Sequence, residues 1–220
     1  MTRRWPMQPE AQESRSKTGD TIFAFGRTLA DLDPGALADM RRMSLDGNAH
    51  GAPYFWRLAS RHGFGTGDRL ATWARIVQIM AILTDKGQPE GKRSPHAPAT
   101  KDNGWRGLGQ ALCDGADLNW PGELPPGSKP RPMLSELRFA RLLAARGPMR
   151  AELMERAARA LAAKKPPGAQ VNCTDLAYFL LDPDNPAHAR KLARDYYARL
   201  DRAGRNDDQS NKVDATGDAA

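Results

Sequence analysis

Apolar side chains recur at helical spacing along most of the chain. In segment 70–83, for example, Leu70, Trp73, Val77 and Met80 are three or four residues apart and share one helix face. The two-residue alternation typical of strands is absent, and Val, Ile and Thr are scarce. The pattern therefore predicts an all-α fold.

Polar and proline-rich segments interrupt the helical pattern. Residues 1–17 and 206–220 are polar and aperiodic, and we expect a disordered arm and a disordered acidic tail there. Segment 119–133 contains WPGELPPGSKPRP, which is too rich in proline for ordinary secondary structure. The sequence thus predicts two small helical bundles, residues 18–118 and 134–205, joined by a Pro-rich connector.

Positive charge is concentrated in the second predicted bundle. The net charge is +7, and residues 131–205 carry 15 basic against 8 acidic side chains. Arginine accounts for 24 of the 33 basic residues, and its planar guanidinium matches the geometry of phosphate. This bias favours a polyanionic ligand. A GC-rich genome also enriches Arg, Ala, Gly and Pro without any functional cause, so composition alone leaves both explanations open.

Residue patterns typical of enzymes are missing. The four histidines have no paired spacing with Cys, Asp or Glu that would make a metal site. The glycine-rich segment Gly63–Asp68 lacks the lysine and the preceding strand of a phosphate loop. Cys113 and Cys173 stand sixty residues apart, and no apolar run is long enough to span a membrane. We therefore expect a cytoplasmic, non-enzymatic protein without cofactor, metal or small-molecule substrate.

Arginines recur three residues apart on several predicted helices. Arg138 with Arg141, and Arg156 with Arg159, each share a helix face and form basic stripes. Contacts from such stripes to phosphates would be blind to base sequence and would weaken with salt. The alternative is a solvated face with carboxylate neighbours, such as Glu152 beside Arg156.

Three aromatic residues near basic positions are candidates for stacking on bases: Tyr54, Trp56 and Trp105. For Trp56 a place in the hydrophobic core is the favoured interpretation.

Six short motifs follow one another in an order and spacing that resemble a known family. They are MRRM (Met40–Met43), PYFWRL (Pro53–Leu58), GLGQAL (Gly107–Leu112), SELRFARLLAARG (Ser135–Gly147), NCTDLAYFLL (Asn172–Leu181) and HARKLARDYYARL (His188–Leu200). Over about residues 20–203 the chain is similar to the small subunit (CasB family) of the type I-E CRISPR Cascade complex.

This resemblance implies an all-helical subunit without catalytic activity. Two copies would lie head to tail in the complex, together with the other Cascade subunits. They would brace the heteroduplex of guide RNA and target DNA and hold the displaced non-target strand, while a recruited helicase-nuclease performs cleavage. Replacing the DNA duplex by the heteroduplex is nearly balanced in free energy, so backbone contacts of this kind would tip the balance.

The resemblance and the arginine spacing together indicate which residues contact the nucleic-acid backbone. The first candidates are Arg41, Arg42, Arg75, Arg138, Arg146 and Arg194, followed by Arg141, Arg156 and Arg159. Gln110 stands where the family often carries an arginine, and Arg106, one helical turn earlier, is the expected substitute. The alternative function is a helical protein–protein adaptor whose arginines have no nucleic-acid role.

Overall fold

Helices make up all the regular secondary structure that the computed structural model describes. The described residues are 9–43, 53–64, 67, 69–97, 106–125 and 128–214. The helices are α1 (Pro9–Asp31), α2 (Pro34–Arg42), α3 (Pro53–His62), α4 (Leu70–Leu83), α5 (Leu108–Asp114), α6 (Glu136–Ala144), α7 (Gly147–Lys164), α8 (Cys173–Leu181) and α9 (Pro186–Asp214). The prediction of an all-α fold is confirmed. None of these helices is long and apolar enough to cross a bilayer.

Several helix starts follow from local capping chemistry. Asp33 precedes Pro34, the first residue of α2, and its Oδ1 accepts a hydrogen bond from Ala36 N at 2.8 Å. Asn172 caps α8 in the same way, accepting from Thr174 N at 2.9 Å. These side chains satisfy amide groups that have no partner inside the helix, which explains why each helix begins at that residue.

Helix α4 forms the centre of the molecule. Every side chain from Ile76 to Leu83 is buried, because α1, α2, α7 and α8 all pack against this helix. At its start, Trp73 stacks on Phe64 and meets Phe25 edge to face, with ring centroids 5.2 and 5.7 Å apart. A helix that is apolar almost all round is typical of such a central position.

The packing joins the two halves of the chain into one hydrophobic core. Helix α5 precedes the connector, yet its main partner is α9. A Cβ atom on Gly109 would lie only 2.3 Å from the Leu192 carbonyl oxygen, so this close approach requires glycine. The described residues of the predicted connector, 119–133, contain no helix, and the division into two bundles stays a prediction.

The first and last helices extend beyond the predicted bundles. Helix α1 begins at Pro9 and α9 ends at Asp214, so the two helices include residues 9–17 and 206–214, which we assigned to the arm and the tail. Residues 10–17, EAQESRSK, are mostly good helix formers that continue a helix anchored in the core. Residues 1–8 and 215–220 lie outside the described residues.

Candidate nucleic-acid interface

The predicted arginines separate into an interior group and an exposed group. The interior group is bound by groups of the protein itself, whereas the exposed group keeps most of its guanidinium surface accessible. The exposed group is placed to receive a phosphate, and Arg41 of the interior group also lines a basic cavity.

Arg106 belongs to a buried charge network. Its Nη1 lies 2.7 Å from Asp114 Oδ2, and Arg199 Nε lies 2.8 Å from the same oxygen. The Asp114 side chain is fully buried, and burial raises the pKa of this carboxyl while the two guanidiniums lower it. Arg106 also donates to the Asp117 carbonyl oxygen, and its side chain is only 12% exposed. In this position the Arg106 guanidinium has partners within the protein, and its replacement of the family arginine at Gln110 stays a prediction.

Arg75 is paired across two helices. Its guanidinium on α4 forms an ion pair with Glu155 on α7 and also donates to Gln78 Oε1 at 3.0 Å. The Glu155 carboxylate receives two further hydrogen bonds from Arg159, at 2.9 and 2.8 Å. One carboxylate thus binds two arginines, and the Arg75 guanidinium joins α4 to α7.

Arg41 caps the carboxyl end of α4. Its Nε donates to the Ala81 carbonyl oxygen at 2.8 Å and its Nη2 to that of Thr84 at 2.7 Å. These carbonyls have no partner within the helix, and the helix dipole favours a cation there. Burial, and next the nearby Arg93, lower the pKa of Arg41.

A cavity of about 330 Å³ between the end of α4 and α7 brings Arg41 and Arg159 together. Lys86 and Lys165 also line it, and Asp85 is the one acidic residue in its lining. We call these four basic residues the basic cleft. Lys165 donates to the neutral carbonyl of Ala169, so its charge and that of Arg41 are not neutralised by these bonds. Even with Arg159 paired to Glu155, the basic residues of the lining outnumber the acidic one, so the cleft is suited to an anionic oxygen.

Sequence reasoning missed both lysines of the basic cleft. Lys86 follows α4 and Lys165 follows α7, so neither belongs to a helical stripe. Only the folded chain brings these two loop residues beside the arginines.

Arg138 and Arg141 lie on the exposed side of α6, and we call this pair the α6 face. Among the residues that the structure describes, neither side chain has an ion pair or a hydrogen-bond partner. The opposite side of α6 is anchored by the fully buried Phe139 and Leu142. Among the described residues the α6 face therefore presents two cations without a carboxylate partner on a rigid support.

Arg146 has an intermediate position. It lies exposed between α6 and α7, and its Nη1 donates to three consecutive carbonyl oxygens at 3.1–3.2 Å, those of Leu143, Ala144 and Ala145. These bonds cap α6. The partners carry no net charge, so the positive charge of Arg146 is not neutralised.

The remaining predicted arginines form long ion pairs at the surface. Arg42 lies 3.6 Å from Asp39, Arg156 lies 3.8 Å from Glu152, and Arg194 lies 3.5 Å from Asp195. Exposed pairs of this kind contribute little free energy. A phosphate can therefore compete for each of these arginines at low cost.

Helix α9 carries an exposed row of Arg190, Arg194 and Tyr197, which we call the α9 stripe. Spacings of four and three residues place these side chains on one face. Tyr197 was not among the aromatic residues considered from the sequence. The three aromatic residues considered from the sequence lie elsewhere. Tyr54 is half-buried beneath Arg57, and Trp56 is exposed on α3. Trp105 lies outside the described residues.

The described residues contain no group of three His, Cys, Asp or Glu side chains that could hold a metal ion. His50 lies outside them. Both cysteines are buried, and burial raises the pKa of Cys113 to about 12. A thiol in this state is a poor nucleophile.

Fold and surface together define a basic, all-helical protein with cations on the α6 face, the α9 stripe and the basic cleft. A family model described as CRISPR-associated protein Cse2 matches residues 36–197. The chain belongs to this family and is a small subunit of the type I-E Cascade complex, as the motif order indicated. Neither the curated proteins nor the solved structures contain a match to it.

Proposed function

We propose that this Cascade subunit is non-catalytic and braces the guide RNA–target DNA heteroduplex and the displaced non-target strand through sequence-independent arginine–phosphate contacts. The α6 face carries the proposal, because Arg138 and Arg141 are exposed cations without a carboxylate partner among the described residues. Its partners would be the other Cascade subunits, a second copy of the chain, the guide RNA and the target DNA.

The free-energy balance of strand exchange explains why such contacts matter. The heteroduplex is about as stable as the DNA duplex it replaces, so modest backbone contacts decide whether the strands stay open. Each neutralised phosphate also releases counterions, which makes binding strong at low salt without any base recognition.

The proposed contact set combines exposed arginines with the four basic residues of the basic cleft. It consists of the α6 face, Arg146, the basic cleft, and the surface-paired Arg42, Arg156 and Arg194. Arg75 and Arg106 are bound by Glu155 and Asp114, and we assign them to holding the fold together.

The proposal is tested by measuring the binding of single-stranded DNA to the purified protein over a series of salt concentrations. For the double variant Arg138→Ala/Arg141→Ala we expect weaker binding. The slope of log K against log salt should also become shallower by about 1.4, which corresponds to two lost phosphate contacts. Arg138→Lys/Arg141→Lys is the matched control, because it keeps both charges and should retain most of the slope.

A more severe variant extends the same test. Replacing Arg138, Arg146 and Arg194 together by Ala removes cations from α6, from the α6–α7 junction and from α9. Affinity and salt slope equal to those of the unchanged protein would contradict the strand-binding role.

A helical protein–protein adaptor is the second candidate function. Leu137 on α6 and Met149 on α7 favour it, because these large apolar side chains are 65% and 53% exposed. An adaptor would assemble with Cascade subunits through these residues. It would show no salt-dependent binding of nucleic acid, so the salt series separates the two functions.

A further inference from the structure

We propose that Tyr197 is a stacking platform for an unpaired base, so that the α9 stripe binds single strands in preference to duplex. This inference rests on the proposed strand-binding function and deepens it. It assigns the ligand of one surface, unpaired bases of a nucleic-acid strand, and names the residue that recognises them.

Tyr197 is exposed in a basic setting. It is 37% exposed, and it follows Arg190 and Arg194 on the same face of α9. The Arg194 side chain is 74% exposed, and among the described residues its one ion pair is a long contact, 3.5 Å, with the neighbouring Asp195. Positive charge that follows the backbone, combined with an aromatic ring, is the arrangement by which proteins bind single strands without reading their sequence.

Two neighbouring aromatic side chains hold the Tyr197 ring in place. It meets Tyr196 edge to face at 5.2 Å and Phe139 of α6 at 6.2 Å. Tyr196 is itself buried, stacks on Phe139 at 4.0 Å, and donates its hydroxyl proton to the Leu134 carbonyl oxygen at 2.6 Å. A supported ring loses little conformational freedom when a base stacks on it, which favours binding.

The spacing along α9 suits one nucleotide step. Arg194 and Tyr197 are three residues apart, about 4.5 Å along the helix axis. A guanidinium on a phosphate and a ring on an adjacent base are compatible with that separation. Bases inside a duplex are already stacked on both faces, so Tyr197 would contribute nothing to duplex binding, whereas Arg194 would contribute to both.

The experiment uses the full chain and three DNA probes of equal length: a single strand, a single strand with abasic sites, and a duplex. Fluorescence anisotropy gives the affinity for each probe. We expect Tyr197→Ala to weaken binding of the ordinary single strand by at least about fivefold, the lower end of measured base–aromatic stacking. The affinities of the Tyr197→Ala variant for the abasic strand and for the duplex should equal those of the unchanged protein.

Two variants separate stacking from charge and from packing. Tyr197→Phe keeps the ring and should bind all three probes normally. Tyr197→Leu keeps an apolar contact with Phe139 but has no ring, and should lose affinity for the ordinary single strand as the Ala variant does. Arg194→Ala should weaken all three probes alike.

The outcomes distinguish this inference from the proposed function. The stacking role is overturned if Tyr197→Ala and Tyr197→Leu leave the ordinary single strand unaffected, or weaken all three probes equally. It is also overturned if they impair only assembly with other Cascade subunits. Absence of binding to every probe by the unchanged protein would overturn the proposed function as well.

Discussion

Arg150 on α7 and Arg138 on α6 lie on consecutive helices, but their surroundings are opposite. Arg150 is 4% exposed and donates to the carbonyl oxygens of Ala145, Phe179 and Pro183. Arg138 is exposed and has no side-chain partner among the residues described. The same residue type thus either holds the fold together or offers charge to a ligand, and helical spacing does not distinguish the two.

Several arginines, most of them in the interior, satisfy carbonyl groups at helix carboxyl ends. A helix leaves its last four carbonyls without a partner, and a guanidinium offers five donors in a planar fork. Arg93 does this for α1, Arg41 for α4, Arg146 for α6, and Arg150 for α6 and α8. An arginine-rich composition is therefore partly a requirement of this fold.

The largest effect is expected from removing the buried carboxylate. Asp114→Ala leaves Arg106 and Arg199 as buried cations without a counter-ion, and we expect the free energy of unfolding to fall by about 3–5 kcal/mol. Urea unfolding measures this loss. Asp39→Ala breaks only an exposed pair with Arg42 and should cost less than about 1 kcal/mol. Equal losses in the two variants would remove the distinction between interior and surface charges.

Arg150→Ala should be the next most damaging change. It leaves three carbonyl oxygens without their donor, and we expect a loss of about 3 kcal/mol in the free energy of unfolding. The control is Arg156→Ala, whose exposed side chain should change stability by no more than about 0.5 kcal/mol. DNA affinity of the folded Arg150→Ala protein should be unchanged, and a marked loss would show that interior arginines also contact the ligand.

A pH effect of about 2 kcal/mol is expected from His96 in the interior. Its Nδ1 accepts a hydrogen bond from Cys173 N at 3.0 Å, and burial lowers its pKa from 6.5 to about 4. Between these values the unfolded chain binds the proton and the folded chain does not. The free energy of unfolding should therefore fall by about 2 kcal/mol as the pH drops from 7 to 5.

The contribution of His96 is measured by comparing how the free energy of unfolding depends on pH in the unchanged protein and in His96→Asn. Asparagine keeps an acceptor for Cys173 N but does not titrate. Parallel pH curves for the two proteins would show that His96 does not contribute.

The smallest effect on stability is expected from Arg146, which is exposed but also bonded to carbonyls of the protein. Arg146→Ala removes an exposed cap of α6 and should lower the free energy of unfolding by about 0.5–1 kcal/mol while also weakening DNA binding. Arg138→Ala should weaken binding with almost no loss of stability. If thermal unfolding shows equal losses for both variants, Arg146 has no capping role and belongs with the α6 face.

Features that depend on near neighbours follow from local sequence. The Asp33 cap, the buried face of α6 and the exposure of Arg138 and Arg141 all follow from residues within one or two helical turns. The continuous core does not follow from local sequence. The helix pattern shows that α5 has an apolar face, but it does not show that α9 covers this face. Helix ends at Pro9 and Asp214 were also missed, since helix propensity without an apolar face gives a weak signal.

Composition, periodicity and motif order along the chain establish the all-helical class, the surplus of guanidinium groups and the family. Tertiary structure alone decided which of those groups are accessible. Arg75 pairs with Glu155, which is 80 residues away along the chain, and Arg199 pairs with Asp114, which is 85 residues away. Charge and spacing are properties of a segment, whereas burial and ion pairing depend on which distant segments meet when the chain folds.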